Sequence, residues 1–276
     1  MIISEFCQNH SGDKDILFNM IDAAADAGAR FCKIQTFFAD DLADRSVFPG
    51  RGPTPEYVRM KALELDWATQ AKFCGRVKGL GMVPMTSVYT AKYHKELHAC
   101  GFEWLKIGSA QADNTDLIAT LKALGFKVII STGGHDLESM PRLGPIEGVL
   151  HCVSEYPHHP YKANIGRMLE LKKYWPNTPV GFSSHVDPLD SGWRYPLYLA
   201  SYLGATFIEV HFTIQDRRAT KDGPVSLDAD QLKQLCSFDK ESRGVKLRFC
   251  PTFGIISCDQ RKEELELINK YKSRWI

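Results

Sequence analysis

Eight short apolar runs recur along the chain, and an amphipathic segment follows most of them. The runs cover residues 2–6, 31–37, 82–87, 104–109, 127–132, 148–153, 179–184 and 206–212. Between them the apolar residues repeat at helical spacing. In DILFNMIDAAADAG (15–28), for example, Ile16, Met20, Ile21 and Ala24 share one face and the pattern stops at Gly28, where a helix C-terminus is expected. Further helical patterns lie in DWATQAKFCGRVKGLG, TAKYHKELHACG, NTDLIATLKALG, NIGRMLELKKYW, SGWRYPLYLASYLG and DADQLKQLC. Strands separated by helices pair in parallel, because a parallel neighbour needs a crossover too long for a hairpin. Eight such units within about 240 residues predict an α/β fold, a single-domain (β/α)8 TIM barrel. An open doubly wound sheet is the alternative. It would carry a glycine-rich loop after the first strand, whereas CQNHSGD (7–13) has one glycine. The barrel is expected over residues 1–245. Residues 246–276 are expected as a C-terminal extension packing on it through a charged helix, by Leu265 and Ile268. The stretch 37–62, containing PGRGPTP, reads as a long loop over the barrel mouth.

The composition suits a chain with a sizeable core: 276 residues, 44% hydrophobic and 24% charged, with a formal charge of +1. A balance so near neutrality, with Lys and Arg spread along the chain, predicts neither a nucleic-acid footprint nor a membrane anchor. No apolar run approaches the roughly 18 residues of a membrane span. The opening MIISEF lacks a basic stretch and places Glu5 inside its apolar segment, unlike a signal peptide. Eight cysteines occur without a CxxC pair, and several sit inside apolar runs; they are expected to be reduced structural thiols in a cytoplasmic protein.

In a barrel of this kind the chemistry sits at the C-terminal strand ends. Those ends read Glu5; Lys33 and Gln35; Thr86 and Ser87; Lys106 and Ser109; Ser131 and Thr132; Ser154 and Tyr156; Ser183 and His185; Glu209 and His211. Two lysines with several hydroxyls and backbone amides make a site for a dense anion such as a phosphorylated carboxylate. His185 and His211, on the last two strands, make half of a metal site. Glu209 faces the same side as His211 and serves either as its hydrogen-bond partner or as a core ion-pair residue. Plainer readings apply elsewhere. His94, His98 and His135 are expected in solvated segments. His158 and His159 in YPHHPY read as loop residues rather than a metal surface. STGGHD (131–136) is a weak phosphate-binding turn.

Taken in order, ISEFCQNHSGD, KIQTF, LKIGSAQADN, IISTGG, LHCVSEYP, GFSSH, EVHFT and KDGPVSL resemble the sialic acid synthase (N-acetylneuraminate synthase) family, over about residues 2 to 238. The resemblance implies a transferase that condenses phosphoenolpyruvate with the open-chain aldehyde of an N-acetylated amino sugar, giving a sialic-type 2-keto acid and phosphate. It implies phosphoenolpyruvate contacts at Lys33, Lys106, Ser109, Ser131 and Ser183. It also implies a strand-one carboxylate at Glu5, a polar residue beside the reacting carbons at Gln35, and sugar-side groups at Tyr156 and Asp222. A divalent ion, commonly Mn²⁺, is implied on His185 and His211, and a homodimer is an expectation of the same kind.

Three positions depart from that pattern, all on the sugar side. Gln111 stands where the sialic acid branch carries Glu. The small antifreeze-like domain usual in the family is not expected here. Arg51 stands where the family often has an amide. Two other functions fit the same residues: a Schiff-base aldolase using Lys33 or Lys106 on pyruvate, and a degenerate barrel that binds phosphoenolpyruvate or a partner without turnover.

Overall fold

The structure, a computed structural model, describes residues 1–41, 54–138, 140–141 and 144–242. Eight parallel strands form a closed ring. They are β1 (Ile2–Glu5), β2 (Phe31–Gln35), β3 (Val83–Ser87), β4 (Trp104–Ile107), β5 (Lys127–Ser131), β6 (Gly148–Cys152), β7 (Val180–Ser184) and β8 (Ile208–Phe212). Each pairs with the next, and β8 returns to β1 with Glu5 opposite His211. A two-residue strand, β9 (Ser226–Leu227), adds to the end of β8. The closed ring excludes the open doubly wound sheet.

Eight helices surround the ring: α1 (Lys14–Ala27), α2 (Pro55–Ala62), α3 (Trp67–Gly79), α4 (His94–Cys100), α5 (Thr115–Ala123), α6 (Arg167–Tyr174), α7 (Arg194–Tyr202) and α8 (Ala229–Ser242). Their starts are dictated locally. Asp13, Asn114 and Asp66 cap α1, α5 and α3, their side chains accepting from first-turn N–H groups, and α1 stops at Gly28. The stretch 37–62 is not all loop. Thr54 accepts from the N–H of Tyr57 and Pro55 opens a helix, a start signal embedded in a Pro- and Gly-rich segment. Arg51 and the rest of 42–53 lie outside the described residues, as do Cys250, Cys258 and the expected tail helix.

The pleat sorts side chains into two populations, because successive residues of a strand point to opposite faces. Cys32, Ile34, Leu105, Ile107, Val128, Ile130, Phe182 and Val210 point outward into the main hydrophobic core, under the helices. Ile3, Phe31, Met85, Ile129, Leu150 and Phe207 form a separate apolar cluster inside the ring. There Phe31, Trp104 and Phe207 meet in edge-to-face pairs with centroids 5.2–6.0 Å apart. Gly181 leaves room for this: a Cβ there would collide with the Phe207 carbonyl and with Leu150. This plug closes the N-terminal end of the barrel. Two residues further along the same strands the inward positions become Glu5, Lys33, Ser87, Lys106, Ser131, Ser183 and Glu209.

The plug is therefore the floor on which the polar layer stands. Truncating one of its buried phenylalanines, Phe207→Ala, is expected to lower the unfolding free energy by about 3–5 kcal/mol. Urea unfolding followed by circular dichroism reads this directly, and a loss under about 1 kcal/mol would contradict a close-packed floor.

Candidate active site

The polar layer is built from charges that have left water. Lys33 and Glu5 are paired, with side chains 1% and 2% exposed. Lys33 Nζ also donates to Ser87 Oγ at 2.8 Å and lies 3.7 Å from Glu209 Oε2. Lys106 pairs with Glu209 Oε1, which also accepts from Ser183 Oγ at 2.9 Å. The other oxygen of Glu5 accepts from the Cys7 N–H at 2.6 Å. Four charges from β1, β2, β4 and β8 thus form one chain, Glu5–Lys33–Glu209–Lys106. Burial pushes the Lys33 ammonium down to about 7, assisted by Lys106 and opposed by Glu209. Burial acts the other way on Glu209, yet Lys106 and Lys33 hold its carboxyl well below the usual range. Of the two roles left open for Glu209, the structure supports the ion-pair residue.

Above this layer lie the imidazoles. Glu209 and His211 share a strand face, and the β1–β8 register sets His211 opposite Glu5, the carboxylate paired with Lys33. His185 and His211 have ring centroids 5.5 Å apart, and Tyr156 stacks on His185 at 3.8 Å. His185 Nδ1 meets the Val153 carbonyl at 2.5 Å, which leaves Nε2 to face outward as an acceptor. Burial depresses both imidazoles, His211 to about 4 against the pull of Asp222 and Glu209. Both are held neutral, the form that ligates a metal. His211 Nδ1 and Asp222 Oδ2 are buried without a hydrogen-bond partner. Orphaned donor atoms of this kind fit a divalent ion. Cys7, His211 and Asp222 each bring one ligand atom within 4.8 Å of the others, a set among the described residues that includes only one of the two expected histidines.

A third group of atoms completes the mouth. Ser131 Oγ is buried and unpartnered. Ser109 Oγ accepts from the Gly133 N–H at 2.9 Å, tying the STGG turn to the end of β4. A Cβ at position 133 would strike Ser154 Oγ and Cys152 Sγ, so any side chain there would have to displace both. Gln111 Nε2 donates to the Tyr89 carbonyl at 3.1 Å, while its Oε1 is buried and unpartnered. Gln35 ends β2 half-buried, and Tyr156 is 51% exposed at the rim. Asp222, expected on the sugar side, sits beside Cys7 and His211.

Some histidines differ from their expected settings. His135 is buried, not solvated, with Nε2 at 2.7 Å from the Ser109 carbonyl; its own carbonyl accepts from Arg167. His158 is buried with Nδ1 on the His159 carbonyl, and His159 pairs with Asp190, so the two do not converge. The sequence reading also passed over Asn9. Fully buried, it donates to the Phe212 carbonyl and Ser226 Oγ, both at 2.8 Å, and so pins the loop carrying Asp222 to β8. It is a loop residue with no periodic pattern around it. The six described cysteines are buried, as expected, and no disulfide joins them.

The chain is similar to known proteins over most of its length. The NeuB family model matches residues 20–244. The N,N'-diacetyllegionaminic acid synthase of Legionella pneumophila is 29% identical over 263 residues, covering 88% of this chain and 72% of its own length. That of Campylobacter jejuni is 27% identical over 260 residues, covering 86% and 74%. The crystal structure of the N-acetylneuraminic acid synthetase from Leptospira borgpetersenii, in complex with citrate, superposes with a TM-score of 0.74 at 26% identity. The match covers 97% of this chain and 90% of that one. With more than two thirds of its residues matched by the family model, and its charged strand ends gathered at one barrel mouth, the chain belongs to the NeuB family.

Proposed function

We propose that this barrel condenses phosphoenolpyruvate with the aldehyde of an N-acetylated amino sugar, forming a sialic-type 2-keto acid and releasing phosphate. The observation that carries the reading is the buried pair of lysines on β2 and β4 beneath a His–Asp cluster at one barrel mouth. The names of the matched synthases, which make acids of this class, support it.

Lys106 has one carboxylate partner and three N–H donors, so it retains donors for a phosphate or carboxylate. Ser131 Oγ adds a hydroxyl without a partner, and Ser109 lies at the next strand end. Lys33 and Ser183 hold Glu209 in place, so the anion meets a preorganised field and not a flexible one. The enol carbon of phosphoenolpyruvate forms a bond to the aldehyde carbon, leaving positive charge at C2. Water adds there and the C2–oxygen bond to phosphate breaks. In this reading Glu5 orients that water and takes its proton. Both its oxygens already accept one hydrogen bond or ion pair, and each keeps a second lone pair. A divalent ion on the histidine cluster, Mn²⁺ by the family resemblance, would supply Lewis-acid polarisation of the acceptor carbonyl. In this reading Gln111 Oε1 and Tyr156 serve the acceptor, and an amide in place of a carboxylate favours an uncharged N–H or O–H partner.

The depressed Lys33 ammonium favours one other reading, a Schiff-base aldolase acting on pyruvate, because a neutral amine is the nucleophile there. Borohydride trapping separates the two: the condensation predicts no covalent adduct with pyruvate. A phosphate-release assay with phosphoenolpyruvate and a panel of acetamido sugars should show release only when an acceptor is present. Absence of release with every sugar, or release without any, would overturn the reading.

Two variants test the roles. Lys106→Met is expected to lower kcat/KM by roughly 10²–10³ through loss of anion stabilisation. Glu5→Gln is expected to lower kcat by about 10²–10⁴ with little change in KM for phosphoenolpyruvate, and wild-type turnover would remove Glu5 from the mechanism. Removing divalent ions with EDTA should abolish phosphate release, and added Mn²⁺ should restore it; full rate after verified metal removal would exclude the ion from the reaction.

A further inference from the structure

Cys7 lies two residues beyond Glu5, 4% exposed, with a backbone φ of +45°. That left-handed conformation, unusual for a residue with a Cβ, turns the chain as it leaves β1. Burial, and after it the nearby Asp222 carboxylate, pushes the thiol pKa up. Its sulfur, a ring nitrogen of His211 and a carboxylate oxygen of Asp222 all lie within 4.8 Å of one another. On these residues, His211 Nδ1 and Asp222 Oδ2 are buried with no hydrogen-bond partner in the protein. A soft sulfur, a borderline nitrogen and a hard oxygen therefore face a common point from β1, β8 and the loop before β9.

We infer that Cys7 is a thiolate ligand of the divalent ion at this mouth, in a Cys7–His211–Asp222 set, and that the site consequently selects Zn²⁺ or Co²⁺ over Mn²⁺. Thiolates favour ions late in the first transition row, whereas Mn²⁺ favours carboxylate and water. On binding, the S–H bond of Cys7 is replaced by a sulfur–metal bond and the proton passes to solvent. Thiolate and carboxylate together carry two negative charges, matching a dication that two neutral imidazoles would leave uncompensated. His185, its Nδ1 committed to Val153, leaves Nε2 on the same side of the mouth as a fourth donor or as a contact for a metal-bound water.

The inference takes from the proposed condensation only the position of the ion, and its test reads the ion directly. A failed phosphate-release assay therefore leaves it standing. X-ray absorption of the Zn²⁺-loaded full-length chain should show a sulfur scatterer at about 2.3 Å. Titration with Co²⁺ should raise a sulfur-to-cobalt charge-transfer band in the near ultraviolet. Both features should vanish in Cys7→Ser, and equilibrium dialysis of Zn²⁺ against Mn²⁺ should show the preference for Zn²⁺ shrinking at least about tenfold. A shell of nitrogen and oxygen alone in the wild type, or an unchanged sulfur feature in Cys7→Ser, overturns the assignment. Where Cys7→Ser does not fold, a chain with Cys152, Cys250 and Cys258 all replaced by Ser decides. The sulfur feature persists there if Cys7 supplies it, and its loss overturns the proposal.

Discussion

Glu5, Lys33, Glu209 and Lys106 are charged side chains removed from water in the middle of a barrel, and none of them is tolerable there alone. Desolvating each ion costs several kcal/mol, and only the opposite charge on the neighbouring strand offsets it. The consequence is geometric. The four groups come from β1, β2, β8 and β4, so the network is complete only when the ring is closed and in register. Closure through β1 and β8, which sets Glu5 level with His211, is thus both the topological signature of the barrel and the condition for its electrostatics. The depressed Lys33 ammonium and the low Glu209 carboxyl are two faces of this one arrangement.

The barrel separates two kinds of chemistry along its axis. Around five of the eight strands an apolar inward residue of the floor is followed two residues later by a polar one at the mouth: Ile3 then Glu5, Phe31 then Lys33, Met85 then Ser87, Ile129 then Ser131, Phe207 then Glu209. The floor keeps water out from below, so charges above it interact in a medium where they are worth more than in water. Among the buried polar atoms without a hydrogen-bond partner, Ser131 Oγ, Gln111 Oε1, His211 Nδ1 and Asp222 Oδ2 belong to the residues of the mouth. A protein interior rarely leaves so many polar atoms unmatched within one region unless a ligand supplies the partner.

Much of this was legible in the order of residues. The eight apolar runs located all eight ring strands, because a strand buried on both faces must be apolar almost throughout. A polar residue at its end is then conspicuous, which is how Lys33, Lys106, Ser131, Ser183, His185 and His211 stood out. Helix α2 was less legible, since its cap and Pro55 lie in a segment whose Pro and Gly content reads as loop. His135 and Asn9 were misread or passed over because their burial depends on Ser109, Arg167 and β8, segments distant in the chain.

The sequence by itself determined the fold class and which strand ends carry polar side chains, since both follow from short-range periodicity: two residues for a strand face, about 3.6 for a helix face. The partners were decided only in three dimensions. Whether Glu209 braces an imidazole or binds lysines, and whether Asp222 meets a sugar or a thiol, turns on register between strands. So does whether Cys7 is one buried thiol among many or part of a converging donor set. Register is a property of the closed ring, formed by residues up to 215 positions apart around Cys7 and Asp222, and no local pattern encodes it.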